Sequence, residues 1–485
     1  MAGQALDRLM LAAMAAAFLG SPIAQARATD APAQSNAQAT VQGPEVRVAE
    51  NIFVVPDRRA KSVTGWLIVK AGCADEANGD CRGLAHYLEH LLFLNRGSDH
   101  SLRISIIGGG SANGWTTLKS TAYFQRFPAK AETDAANLDK LIAHFAALLT
   151  EVKAEAAAAE RERNVVLQEY NLKWGQSVYQ RFGITRSLAL LPGDPLGQRV
   201  GGSPETIKDF TVTAAQAFHK SWYAKSNSVL VLHGPIDPEA IKPIAAKHLA
   251  PLPDGRVPAR SWSSLRHYPP ASQVLNQTDR DAKVVSVYLD KIVHYEEPGA
   301  PADLRTFNSA RNIVAAFLGS RLVGSPLDVL LENDGLITQG AMSVAKVRTG
   351  TMRLSFWAEP APGVTPEKVV EVAQAFIKQL PSVPLTPETI DRLKTRLANG
   401  RDLLRQQPDK TADALVNWFA AHETYNHWTE REGAFAAVSA HQVKAVLDIL
   451  AQPGREVVGI LRPPSPVDTG TGAPSPAFDA ATKQP

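Results

Sequence analysis

Two histidines and a glutamate lie close together in the run His86-Tyr87-Leu88-Glu89-His90. Histidines four positions apart share one face of a helix, so both imidazoles can reach a single metal ion. Glu89 falls beside them, where its carboxylate can take a proton from a water that the metal activates. This H-x-x-E-H pattern is the reverse of the H-E-x-x-H zinc motif. The run therefore predicts a zinc site with hydrolytic chemistry.

A helix must carry these side chains, and the neighbouring leucines indicate one. Leu84, Leu88, Leu91 and Leu92 recur at helical spacing and form an apolar stripe. On a helical wheel the two histidines and the glutamate lie roughly opposite this stripe. We expect the helix to pack through its leucines and to present the polar residues to a cleft.

A third metal ligand is required, because a catalytic zinc ion keeps three protein ligands and one open position. Residues 151–170 are rich in Ala, Glu, Arg, Leu and Val, which predicts a second helix. Its Glu155, Glu162 and Glu169 are spaced by seven residues, and each offers a carboxylate. Glutamates on a helix of this composition are more often simply solvated. The spacing does not choose among the three.

Both segments resemble the pitrilysin/insulinase family of zinc peptidases, which includes the mitochondrial processing peptidases. The first likeness covers Leu67–Gly72 and Gly83–Phe93, and the second covers Glu162–Tyr170. The resemblance extends over residues 46–465 and is closest to a half-length subunit of the processing-peptidase type. It implies an enzyme, a zinc metalloendopeptidase that acts on peptide substrates.

The same likeness implies a role for each candidate residue of the site. His86, His90 and Glu169 are the expected ligands of one Zn²⁺ per chain. Glu89 is the expected general base. Glu162 is expected to support the site without touching the metal.

A substrate-binding strand is implied in the same way. Gly110–Trp115, followed by Thr121–Phe124, resembles the edge strand to which the family adds its peptide substrate as a further β-strand. Asn113 and Gly114 are therefore predicted to contact substrate. The family usually has alanine after the asparagine, so Gly114 departs from the pattern.

A second departure concerns the partner of this chain. Self-sufficient family members carry an Arg and a Tyr, seven residues apart, that bind the substrate carbonyl beside the zinc. The resemblance aligns Leu331 and Thr338 with that pair, and neither supplies the strong hydrogen bonds that an oxyanion needs. We therefore expect a heterodimer with a paralogous subunit that lacks H-x-x-E-H and supplies the pair. A self-sufficient homodimeric peptidase and a non-catalytic scaffold or binding subunit are the alternatives.

An internal repeat predicts the domain organisation. Val63–Val69 is echoed by Lys283–Leu289, and Ser228–Gly234 by Glu456–Arg462, at an offset of about 220 residues that indicates a duplicated unit. The prediction is a catalytic zinc domain at 46–253, a linker at 254–272 and a homologous domain without the zinc motif at 273–465. Strands alternate with helices in each, which gives an α/β (α+β) class. The resemblance adds a mixed, mostly antiparallel sheet in each domain and makes the chain half of a clamshell.

The second half also holds two histidines, His422 and His427, that could be mistaken for a metal motif. Residues five apart diverge by about 140° on a helix, so their side chains do not converge. We expect both to be structural or surface residues.

Composition narrows the function classes. The 485 residues are 45% hydrophobic and 20% charged, which is typical of an ordinary soluble protein of two or three domains. A formal net charge of +3 predicts no nucleic-acid partner.

The N-terminus is predicted to be an export signal. Arg8 precedes the apolar run Leu9–Gly20, and Ala24-Gln-Ala26 has the form of a signal-peptidase site. Residues 1–26 are thus a predicted signal peptide, and the protein is expected in the periplasm with no membrane span in the mature chain. Residues 27–45 are expected to be a flexible lead-in. Residues 466–485, rich in Pro, Ala and Thr, are expected to be a disordered tail.

Cys73 and Cys81 are the two cysteines of the chain, and both precede the predicted metal helix. In an oxidising compartment a disulfide is the simplest expectation for such a pair. Two free thiols and a metal-binding role are the alternatives.

Overall fold

The computed structural model contains two β-sheets packed with helices, which confirms the predicted fold class. The predicted signal peptide and the predicted C-terminal tail lie outside the described residues. So does the predicted lead-in up to residue 43. The structure describes residues 44–94, 110–131, 134–150, 152–172, 177–264, 266–322, 324–383 and 385–464.

The first sheet has six strands in the order β1-β2-β6-β3-β5-β4. Strands β2 and β6 are parallel, and the other neighbours are antiparallel. Every residue of β6 is buried, as expected for a central strand with both faces covered. Strand β4 lies at the edge of the sheet, as predicted. The strands are β1 (Val46–Ala49), β2 (Ile52–Pro56), β3 (Ser62–Val69), β4 (Ser111–Thr116), β5 (Thr121–Pro128) and β6 (Ser228–Gly234).

Helices of the first half of the chain, which means the residues before Ala271, pack their apolar side chains against one face of this sheet. At Gly65 of β3 the approach is close, because a Cβ there would lie 2.7 Å from the Leu141 side chain. The helices are α1 (Leu84–Leu94), α2 (Asp134–Leu148), α3 (Ala156–Tyr170), α4 (Val178–Leu190), α5 (Pro204–Lys208), α6 (Val212–Trp222) and α7 (Pro238–His248).

The second sheet has five strands in the order β7-β11-β8-β10-β9. They are β7 (Ala271–Thr278), β8 (Ser286–His294), β9 (Ile337–Arg348), β10 (Thr351–Pro360) and β11 (Arg455–Arg462). The helices are α8 (Pro301–Leu318), α9 (Pro326–Asp328), α10 (Pro366–Gln379), α11 (Pro387–Arg405), α12 (Pro408–Ala420), α13 (Tyr425–Ala436) and α14 (Ala440–Ala451). A π-helical turn at Val329–Asn333 follows α9.

The two sheets repeat one topology. Strands β2, β6, β3, β5 and β4 correspond in order to β7, β11, β8, β10 and β9, and each series begins with a parallel pair. The segments that echo each other in sequence fall on β3 and β8, and on β6 and β11. Duplication of one α/β unit therefore explains both observations. The exact domain limits stay a prediction.

Each half covers the remaining face of the other half's sheet with a helix. From the second half, α12 packs on the first sheet, where Leu415 and Phe419 join a buried cluster with Phe53 and Ile68. The Phe53 and Phe419 rings stack with centroids 4.8 Å apart. From the first half, α4 packs against β11 of the second sheet.

Helix α4 is fixed to the second sheet by a buried ion pair. The Arg186 guanidinium binds the Asp290 carboxylate, which Arg353 also binds at 2.7 Å. Burial would raise the pKa of Asp290, but the two guanidinium groups hold that pKa below its usual value. The helix approaches β11 at Gly459, where a Cβ would lie 2.4 Å from Arg186 Cδ. The two halves therefore share buried charge as well as apolar surface.

Among the described residues, no single helix is both long and apolar enough to cross a membrane. Two neighbours, Tyr425–Ala436 and Ala440–Ala451, meet the criteria of length and composition only when taken together, and their axes are bent by 107°.

Cys73 and Cys81 form a disulfide, with their Cα atoms 4.9 Å apart. Both residues are buried in the loop that leads into α1. The structure therefore agrees with the predicted disulfide, and not with two free thiols or a metal-binding pair.

Protein recovered from the periplasm should begin at Arg27, because the predicted signal peptide ends at Ala26. It should contain no free thiol, because both cysteines are paired. Reduction should lower the free energy of unfolding by about 2–3 kcal/mol, the loop-closure term for so short a loop. Intact mass before and after alkylation, with and without reductant, tests the first point, and urea unfolding tests the second. Two thiols that react without reductant would contradict the prediction.

Candidate metal centre

A buried carboxylate holds the start of α1. Glu76 accepts hydrogen bonds from the backbone N–H groups of Arg82 at 2.8 Å, Gly83 at 3.1 Å and Ala85 at 2.9 Å. Burial raises the pKa of Glu76 to about 7, although these donors oppose the shift. Gly83 has φ +96, which favours glycine. Sequence reasoning missed Glu76, because it lies eight residues before α1 and the sequence signals of a helix start concern only the N-cap and the first turn.

Helix α1 is oriented by its apolar side and by one tyrosine. Leu88, Leu91 and Leu92 are buried in the core of the first half, as the periodicity predicts. The Tyr87 hydroxyl donates to the Ala159 carbonyl of α3 at 2.9 Å. Together with the burial of Ala159 and Val166 in the same core, this contact places α3 against α1.

His86, His90 and Glu169 lie close together, and they are the three ligands that the resemblance implies. One possible ligand atom from each lies within 4.8 Å of the others. Glu169 Oε2 lies 3.6 Å from His86 Nε2, and Glu169 Oε1 lies 3.7 Å from His90 Nε2. Ligand atoms about 2.0–2.1 Å from a tetrahedral zinc ion are themselves about 3.3 Å apart, so these distances suit one ion between them. Their binding of zinc stays a prediction.

Glu162 occupies the supporting position that the resemblance implies. Its Oε2 lies 3.0 Å from His90 Nδ1. A histidine that donates Nδ1–H to a carboxylate presents its Nε2 lone pair to a metal. Burial lowers the pKa of His90, but the hydrogen bond to Glu162 and the charges of Glu89 and Glu169 raise it above its usual value. The three carboxylates around His90 therefore favour a positive charge at this place.

Among the described residues, Glu155 does not belong to the cluster of His86, His90 and Glu169. Helix α3 begins at Ala156, so the predicted start at residue 151 is wrong by five positions. Val152 is buried in the core of the first half, and the chain up to Glu155 is not helical. The backbone of Glu155 is extended, and its side chain is exposed.

Glu89 lies beside the histidines and against β4. It is 5% exposed, and its Oε2 accepts a hydrogen bond from the Thr116 hydroxyl at 2.7 Å. At Gly114 a Cβ would lie 2.8 Å from Glu89 Oε1. The sequence signalled Asn113 and Gly114 only as substrate contacts, and it gave no role to Thr116.

The remaining candidates lie in the second half. His422 Nε2 hydrogen-bonds the Lys119 carbonyl at 2.6 Å, and His427 Nδ1 lies 3.0 Å from a Glu423 carboxylate oxygen. Both agree with structural or surface roles. Leu331 packs on the core of the second half, and Thr338 is exposed at the start of β9.

Comparison with protein families agrees with this geometry. The model described as "Insulinase (Peptidase family M16)" matches residues 52–182, which include α1 and α3. The model described as "Peptidase M16 inactive domain" matches residues 209–397, in line with the absence of H-x-x-E-H there. The chain belongs to the insulinase family, M16.

Relatives of this M16 chain include proteases and a peptidase subunit. Coenzyme PQQ synthesis protein F of Pseudomonas aeruginosa is 34% identical over 219 residues, 43% of this chain and 27% of that protein. Mitochondrial-processing peptidase subunit beta of Lentinula edodes is 27% identical over 244 residues, 49% of this chain and 51% of that protein. The matched part of this chain thus spans about half or less of these two relatives. An uncharacterized zinc protease of Mycobacterium leprae is 26% identical over 352 residues, 71% of this chain and 73% of that protein.

Solved structures share the fold of this M16 chain. The periplasmic protease PqqL from Escherichia coli superposes on this chain with a TM-score of 0.70 and a sequence identity of 15%. The match covers 91% of this chain and 51% of PqqL. At this identity the likeness establishes the fold alone.

Proposed function

We propose that this chain is the zinc-bearing subunit of an endopeptidase. One observation carries the proposal, which is the convergence of His86, His90 and Glu169 with Glu89 beside them. A zinc ion held there would supply a Lewis acid that polarises a peptide carbonyl and makes nearby water more acidic. The description of a relative as a zinc protease supports the choice of metal.

The chain's own residues would divide the work. His86, His90 and Glu169 hold the ion, and Glu162 fixes the ring of His90 through Nδ1. Glu89 accepts a proton as water attacks the scissile carbonyl, and it then delivers that proton to the leaving amine. The nearly buried position of Glu89 keeps its carboxylate away from bulk solvent.

The substrate would bind at the edge of the first sheet. Among the described strands, β4 pairs only with β5, so its other edge can receive an extended peptide as an added strand. Asn113 and Gly114 lie in the middle of β4. Backbone hydrogen bonds to this edge would hold a peptide next to Glu89.

The substrate site of this chain is incomplete in one respect. Leu331 and Thr338 replace the Arg/Tyr pair, and the Leu331 side chain packs into its own core. A paralogous partner that carries the pair would complete the site. The name of the Lentinula edodes relative, a subunit of a processing peptidase, supports assembly with a second chain.

The proposed location is the periplasm. The N-terminal pattern of an apolar run and Ala24-Gln-Ala26 supports export. The Cys73–Cys81 disulfide suits an oxidising compartment.

The purified chain should bind one zinc ion but hydrolyse peptides slowly, because donors to the substrate carbonyl are missing. A paralogous subunit that lacks H-x-x-E-H should raise kcat by about 100- to 1,000-fold, the typical effect of an oxyanion donor. Metal analysis and a fluorogenic peptide assay, with each chain alone and with both together, test this.

A chelator should abolish the restored activity, and added zinc should recover it. Rapid hydrolysis by the isolated chain would refute the heterodimer and leave the peptidase in place. A complex that binds zinc but cleaves no peptide would refute the peptidase itself.

A further inference from the structure

Strand β4 touches α1 as well as offering its free edge. Gly114 and Thr116 are two residues apart, so they lie on the same face of the strand. That face meets Glu89, whose carboxylate contacts both positions. The strand proposed to bind substrate therefore also contacts the proposed base.

The first contact is a hydrogen bond to Glu89, and the second is a close approach of its carboxylate to the backbone of β4. Thr116 Oγ1 donates to Oε2 at 2.7 Å. Oε1 occupies the space in which a side chain at Gly114 would begin, because a Cβ there would lie 2.8 Å from it. The same Cβ would lie 3.0 Å from the Ala122 carbonyl oxygen of β5, so that position has little room to yield.

Strand β4 is itself held firmly. Gly114 pairs with Tyr123 and Thr116 pairs with Thr121 across the ladder to β5. The turn that joins the two strands is closed by the Thr117 N–H, which donates to the Ser120 carbonyl at 2.7 Å.

The turn is also anchored to the second half of the chain. Lys119 Nζ donates to the Val347 carbonyl at 2.7 Å and lies 4.8 Å from the centre of the Trp262 ring. Contacts from β4 to Glu89 therefore come from a fixed support.

We propose that Thr116 is a positioning residue for Glu89. The hydroxyl of Thr116 fixes the rotation of the Glu89 carboxylate, so that the base meets the attacking water in one orientation. This inference rests on the proposed peptidase function.

Two substitutions separate the hydroxyl of Thr116 from its packing. Thr116→Val keeps the shape and removes the donor, while Thr116→Ser keeps the donor and removes the methyl group. Loss of a hydrogen bond to a charged group should lower kcat of the zinc-loaded chain, assayed with its partner, by about 10- to 100-fold. Thr116→Val should show this loss with KM and zinc affinity unchanged, and Thr116→Ser should recover most of kcat.

Crystal structures of both variants provide a readout without catalysis. The carboxylate should be rotated in Thr116→Val and unmoved in Thr116→Ser.

Wild-type kcat in Thr116→Val, an equal loss in Thr116→Ser, or a loss of zinc in Thr116→Val would each overturn the assignment. If the wild-type complex hydrolyses no peptide, the proposed function fails. The crystal structures then decide the position of Glu89 on their own.

Discussion

Replacing Glu89 by glutamine is expected to lower kcat for peptide hydrolysis by about 100- to 10,000-fold, the usual contribution of a general base. The amide has nearly the same volume and can still accept the Thr116 hydrogen bond, but it cannot take up a proton. His86, His90 and Glu169 are unchanged, so zinc should stay bound. Steady-state kinetics and metal analysis of the same preparation test both points.

Glu160→Gln is the matched control, because Glu160 is an exposed residue of α3 that pairs with Arg163 at the surface. It should behave as the wild type does. His86→Ala should instead lose the metal, which distinguishes a ligand from the base. Hydrolysis by Glu89→Gln at the wild-type rate would show that the assigned base is wrong.

Glu169→Gln is expected to weaken zinc binding far more than Glu162→Gln. Glu169 offers its carboxylate oxygens to the space between the two ring nitrogens, at 3.6 and 3.7 Å. Glu162 reaches His90 only at Nδ1, and a glutamine there can still accept that hydrogen bond. A change in such a supporting residue typically costs about 10- to 100-fold in affinity.

Competition titrations against a zinc chelator measure this difference directly. Both residues lie on α3 seven positions apart, so each variant controls for helix propensity and loss of charge in the other. The reverse order of affinities would move the ligand assignment to Glu162.

Local spacing could predict the metal helix but not its partner on α3. The leucine period and the H-x-x-E-H spacing are properties of one helix, so α1 follows from sequence alone. Glu162 and Glu169 share a face two turns apart, and local rules treat them alike. The hydrogen bond from Tyr87 to Ala159 is one of the contacts that set where α3 crosses α1. Such a tertiary contact has no signature in sequence spacing.

Two other features depend on tertiary structure in the same way. The predicted start of α3 was wrong because Val152 enters the core of the first half, which overrides helix propensity before Ala156. Glu76 binds the start of α1 from within the loop that the disulfide closes. The internal repeat predicted two similar sheets. It could not predict that α12 of the second half covers the first sheet and that α4 of the first half covers the second.

That exchange of helices determines when the chain can fold during its synthesis. One face of the first sheet, with Phe53 and Ile68, is sealed by Leu415 and Phe419, more than 340 positions later in the sequence. A nascent chain that has emerged only as far as β6 therefore exposes apolar surface of the kind that chaperones bind. The long separation also places this step among the slow, non-local events of folding. The first sheet is therefore covered on both faces only once α12, Pro408–Ala420, has been made.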